Sequence, residues 1–145
     1  MQRHLIALIC VIGLFLGIST ASAATAVTLY KSPTCECCTK YVQYLEKNGF
    51  AVKAINQDDM DAIKKRHGTA RAASCHTALI DGYVVEGHVP VRAIRKMLSE
   101  KPDIIGISAP GMPENSPGMG EEKPGTLTIY AIPKGNAKLT VFSIE

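Results

Sequence analysis

The chain has little with which to bind a polyanion. Lys64-Lys65-Arg66 is its only run of three basic residues, and sixteen Lys and Arg stand against thirteen Asp and Glu. A phosphate-binding face needs Lys and Arg gathered on one side, so no nucleic-acid partner is expected. The triplet reads as a solvated helix face. There are no internal repeats and no long disordered linker. Hard metals are disfavoured too, because no grouping of Asp, Glu and His lies near the cysteines. A second C-x₂₋₄-C pair, which a structural zinc knuckle brings, is also missing.

What is present begins with an export signal. Arg3 supplies the positive start, Leu5 to Ile18 is apolar apart from its glycines, and Ala21-Ser22-Ala23 reads as a cleavage site. The run is just long enough to anchor in a membrane. The small residues after it favour cleavage, so residues 1–23 are assigned to a signal and no membrane association is expected afterwards. Cys10 belongs to that discarded segment. Residues 24–145 suffice for a single domain with a modest core.

Export places four cysteines, Cys35, Cys37, Cys38 and Cys75, where disulfides persist. Three of them fall within Cys35-Glu36-Cys37-Cys38, a poor layout for stapling distant parts of a fold. Only Cys75 offers a long closure.

The pattern around them reads as strand, helix, strand, helix, strand, strand, helix. Ala26–Tyr30 is the first strand, stopped by Pro33. A helix follows from about Cys35 to Asn48, with Cys38, Val42 and Leu45 on one face and Gly49 as its stop. Phe50–Ile55 is the second strand. Asp58 or Asp59 caps a second helix with a Met60, Ile63, His67 stripe, ended by Gly68. His67 reads as packing or a helix end rather than a ligand. Asp81-Gly82 between Thr77–Ile80 and Tyr83–Glu86 is a strong hairpin signal. Pro90 opens a third helix and Pro102 closes it. A Met-, Gly- and Pro-rich loop is expected over residues 106–120, then a C-terminal hairpin over 126–144. This order, with a cysteine pair opening helix one, is an α/β, thioredoxin-like layered fold with a C-terminal β-hairpin extension.

Two chemistries fit the cluster. Cys35 and Cys38 form a C-x-x-C pair at a helix N-terminus, where unpaired N–H groups and the dipole favour a thiolate. The fold order brings Cys75-His76 to the same place. Soft thiolates select Cu(I), with zinc next, and export favours copper. The alternative is thiol–disulfide exchange, with Cys35 as attacking thiolate, Cys38 resolving and Cys75 as a second resolver. Against it, thioredoxin-like enzymes carry a proline just before strand three, and Ser74-Cys75-His76 has none. Cys37 has no task in a dithiol enzyme. His88 is the next candidate ligand, and the thioethers of Met112 and Met119 are soft enough to hold Cu(I) loosely.

The motifs Cys35-Glu36-Cys37-Cys38, Ser74-Cys75-His76-Thr77, Glu86-Gly87-His88-Val89-Pro90 and Pro110-Gly111-Met112-Pro113…Ser116-Pro117-Gly118-Met119 occur in order over about residues 27–120. In them the chain resembles the exported, CopG-like copper-resistance family. The resemblance implies a thioredoxin-like fold in the periplasm of a Gram-negative bacterium. It implies copper held by the C-x-C-C cluster and Cys75, with His76, His88, Met112 and Met119 completing the set. Other periplasmic copper-handling proteins are the implied partners. A copper-linked oxidoreductase role is also associated with such proteins, so binder against enzyme stays open. The chain departs from the family at Gly68-Thr69-Ala70, where a Gly-x-Pro is expected.

Overall fold

The computed structural model describes residues 23–145; the signal assigned to residues 1–23 lies outside them except for its last residue, Ala23. No described helix is long and apolar enough to cross a membrane. Among the described residues seven strands form one sheet in the order β2-β1-β3-β4-β5-β6-β7. The strands are β1 (Thr25–Lys31), β2 (Phe50–Asn56), β3 (His76–Ile80), β4 (Tyr83–Glu86), β5 (Ile104–Ser108), β6 (Thr128–Pro133) and β7 (Thr140–Ile144). Among the described residues, three α-helices, α1 (Glu36–Lys47), α2 (Met60–His67) and α3 (Val91–Glu100), cover it.

Local chemistry accounts for these boundaries. Cys35 is the N-cap of α1, its Sγ accepting from the Cys38 N–H at 3.3 Å. Asp59 caps α2 by accepting from the Ala62 N–H at 2.9 Å. The Asp81-Gly82 turn has both residues at positive φ, the geometry of a two-residue hairpin, and joins β3 to β4.

The α1 crossover makes β1 and β2 parallel, and α3 does the same for β4 and β5. The two faces of the sheet carry different helices. Val27 and Leu29 of β1 pack into one core with Tyr41 and Leu45 of α1 and with Ile94 and Met97 of α3. The Tyr44 hydroxyl accepts from the Val91 N–H at 3.0 Å, tying α1 to the start of α3. On the other face Tyr30 stacks on His67 of α2, ring centroids 5.9 Å apart. His67 is therefore a packing residue.

Two expectations are corrected. The loop expected from residue 106 begins only at Ala109, because Ile104–Ser108 is a strand. Gly106 suggested a breaker, yet a Cβ there would meet the Val84 carbonyl oxygen at 1.8 Å. It is a close-approach glycine inside a sheet. Second, Lys64 is not solvated: it is 6% exposed and paired with Glu86.

Candidate metal centre

The end of β1, the start of α1, the start of β3 and the end of β4 all meet at one end of the central strands. Lys31 lies opposite His76 in the β1–β3 register, and Thr77 lies opposite Glu86 in the β3–β4 register. Cys75 immediately precedes β3, and His88 follows β4 by two residues. The expected neighbours are thus brought together from three separate elements.

Cys35 and Cys38 are joined by a disulfide, and Cys37 and Cys75 are free thiols. The Cys37 sulfur lies 3.5 Å from that of Cys35. All four cysteine sulfurs lie within 4.8 Å of one another. A second set of four, within the same limit, is Cys38, Cys75, His76 and His88. Cys38 and Cys75 belong to both. Met112 and Met119 stand in neither set: Met112 is 61% exposed, and Met119 is half-buried in a surface recess with Asn115, Glu121 and Thr126.

The hydrogen bonds fix the protonation of the site. His88 Nδ1 is 2.7 Å from the Pro117 carbonyl, which can only accept, so Nδ1 carries the proton. Its Nε2 then presents a lone pair to the Cys75 sulfur at 2.9 Å, and Cys75 S–H is the donor. Burial holds His88 below its ordinary pKa, and burial, with the charges of His88 and Lys64, pulls His76 down further. Both rings are neutral at pH 7. Burial, followed by the neighbouring Cys37, pushes the Cys75 thiol up to about 12. Buried His76 has Nδ1 3.6 Å from the Cys75 sulfur and Nε2 with no protein partner.

Tyr41 was not singled out by its sequence context, yet its ring packs on both imidazoles, at 4.6 Å from His76 and 5.1 Å from His88. Its hydroxyl donates to the Val89 carbonyl at 2.7 Å. The only signal for it was its place three residues after Cys38 on the apolar face of α1. The loop after β5 closes over the site. Gly118 sits so near α1 that a Cβ would lie 3.1 Å from the Tyr41 nitrogen.

The donor set suits a soft cation. With the disulfide reduced, four thiols and two neutral imidazoles would converge, and one buried imidazole nitrogen, His76 Nε2, has no protein partner.

Comparison with known proteins agrees with this chemistry. Residues 27–70 match the glutaredoxin family model, and residues 72–119 match that of a protein of unknown function, DUF411. No curated protein matches in sequence. Two solved structures, forms 1 and 2 of copper resistance protein copG, match at 35% and 36% identity with TM-scores of 0.75 and 0.74. They align with 84% and 83% of this chain and with 98% of their own.

The chain belongs to the CopG copper-resistance family. Its thioredoxin-like fold is shared with glutaredoxin through β1, α1, β2 and α2. The DUF411 match spans Cys75, His76, His88, Met112 and Met119. The cysteine cluster and the two histidines thus sit astride the junction between the two matched segments, and the role such a site supports is a copper-related, metal-binding one.

Proposed function

We propose that the protein binds Cu(I) in the periplasm, through Cys35, Cys37, Cys38 and Cys75 with His76 and His88, for copper tolerance or transfer. One observation carries the reading: four sulfurs from two separate segments lie within 4.8 Å, beside imidazoles that burial keeps neutral. Thiolates and neutral imidazoles are the ligands cuprous ion prefers. The proton that Cys75 shares with His88 is the one the metal would replace, so loading releases it. Met112, exposed on the loop, would serve as an outer contact for arriving or departing ion.

The Cys35–Cys38 disulfide favours a second reading, a thiol–disulfide oxidoreductase. Reduction by a dithiol donor would deliver two electrons and two protons and free both sulfurs. The two readings then describe successive states: the disulfide form withholds two ligands, and the dithiol form offers them. The raised Cys75 pKa disfavours Cys75 as a nucleophile at neutral pH while leaving it available to a metal that displaces its proton.

The deciding experiment is an anaerobic titration of the reduced protein with Cu(I) against a competing chelator, with free thiols counted before and after. Tight binding that protects all four thiols supports the first reading. Absence of binding, with the reduction potential of a catalytic dithiol, supports the second. Zinc in a parallel titration tests whether selectivity follows thiolate softness.

A further inference from the structure

On the opposite face of the sheet from the sulfurs lies a buried polar group that the copper reading leaves without a task. Glu86, fully buried, accepts three hydrogen bonds. Lys64 Nζ donates to it at 2.6 Å, the Ser74 backbone N–H at 2.8 Å and the Thr77 hydroxyl at 2.7 Å. Lys64 also reaches the Thr77 hydroxyl at 3.4 Å. Taking two charges out of water is costly, and an apolar pair of similar volume often serves stability as well. Cohesion alone therefore does not account for this ion pair.

Its partners do. Ser74 and Thr77 flank Cys75-His76, and Glu86 itself is two residues before His88. One carboxylate thus grips both segments that bear candidate ligands. The grip is reinforced nearby: Gly87 N–H donates to the His76 carbonyl at 3.0 Å, and Gly111 N–H donates to the Ala73 carbonyl at 3.0 Å. No proline precedes β3 to stiffen Ala72-Ala73-Ser74-Cys75, and the Glu86–Ser74 bond restrains that stretch instead.

We infer that the Lys64–Glu86 pair is a positioning device for the metal site: by holding the Ser74 N–H and Thr77 from behind the sheet, it sets Cys75 against His88. Lys64 neutralises Glu86 so that the carboxylate can stay buried with its oxygens aimed at the strand ends. The inference rests on the copper reading for its purpose, but its geometric content does not need a metal.

Two paired variants separate geometry from charge. Lys64→Met with Glu86→Gln removes both charges and keeps an amide that can accept from the Ser74 N–H through its oxygen and donate to the Thr77 hydroxyl through its NH2. Lys64→Met with Glu86→Leu removes the acceptor as well. In the reduced, metal-free protein, the rate of Cys75 alkylation by iodoacetamide relative to Cys37 is expected to rise in the Leu pair and to stay near the wild-type ratio in the Gln pair. Cu(I) affinity is expected to fall roughly 10–100-fold in the Leu pair, the usual cost of losing a group that orients a metal ligand. Cys75 should become the one thiol that bound Cu(I) no longer protects. A folded Leu pair with wild-type Cys75 reactivity and affinity overturns the inference. If the Leu pair does not fold, Glu86→Asp, which keeps the charge but shortens the reach, is read the same way. Should the wild-type protein bind no Cu(I), the copper reading falls, while the alkylation ratios still decide the positioning claim.

Discussion

At the scale of single residues, Cys37 separates the two chemistries. It has no part in the Cys35–Cys38 disulfide, yet its sulfur is 3.5 Å from that of Cys35 and close to Cys75. Cys37→Ser is expected to weaken Cu(I) binding by at least about tenfold, the size of a lost ligand contact, and to leave the disulfide and its reduction largely unchanged. Chelator competition and a redox titration on the same variant check both halves. Protonation gives a second residue-scale prediction. His76 and His88 have lowered pKa values in the folded, metal-free protein, so the unfolded chain takes up protons first. Their stabilising contribution is present above about pH 6.5 and lost as pH falls below it. Cys75 works in the other direction. With its pKa raised to about 12, the folded state keeps a proton that the unfolded chain gives up near pH 8.5, so stability is lost as pH rises from there toward about 12. Denaturant melts of the metal-free protein should show a plateau between those limits, and Cys75→Ser should remove the first part of the alkaline decline, leaving the later part that buried Tyr41 and Tyr44, whose pKa values burial also raises, contribute above about pH 10.

Among the elements, the turn from β4 to α3 is the most constrained. Gly87 has φ +76°, and a Cβ there would meet the Ser74 hydroxyl at 2.2 Å and the Ala109 carbonyl at 2.8 Å. Gly87→Ala is expected to cost about 1–3 kcal/mol from backbone strain alone, with more from the clash. The same shift would push Ser74-Cys75 away from His88, so thermal melting and Cys75 alkylation should change together. The elements also mark what the sequence could and could not reveal. Caps, the Asp81-Gly82 turn and the helix stripes were legible because each is written in neighbouring residues. Gly106 was not, since breaker and close-approach glycines look alike until the partner strand is known. Lys64 and Glu86 were hidden for the same reason. Each looks solvent-bound in its own segment, and only the β3–β4 register beneath α2 joins them. The cluster itself was legible from the order of elements, which requires the start of β3 to lie beside the start of α1. The imidazole tautomer was not, because it depends on Pro117, a carbonyl twenty-nine positions away.

For the whole molecule, the sheet divides labour between its faces. Sulfur and imidazole gather on the side of α1 and α3, and the ion pair that braces them lies on the side of α2. The Cys35–Cys38 bond closes a loop of only three residues' separation, so it constrains the unfolded chain little. Reducing it is expected to cost at most about 2 kcal/mol. The reduced protein should stay folded, with a melting point lower by no more than about 4–8 °C. Calorimetry with and without a phosphine reductant checks this. A reduced protein that unfolds at ambient temperature would mean that the dithiol state cannot serve as a metal receptor at all.

The chain contains no tryptophan, so above about 270 nm its near-ultraviolet dichroism arises chiefly from tyrosines and the disulfide. Tyr41, its ring packed against both His76 and His88 and its hydroxyl fixed on Val89, is held in a chiral setting that a cation bound at either ring would change. Metal bound at the proposed site would thus be read by the protein's own tyrosine signal. Cu(I) added to the reduced form should alter the tyrosine band in step with loading, and Tyr41→Phe should silence most of that response.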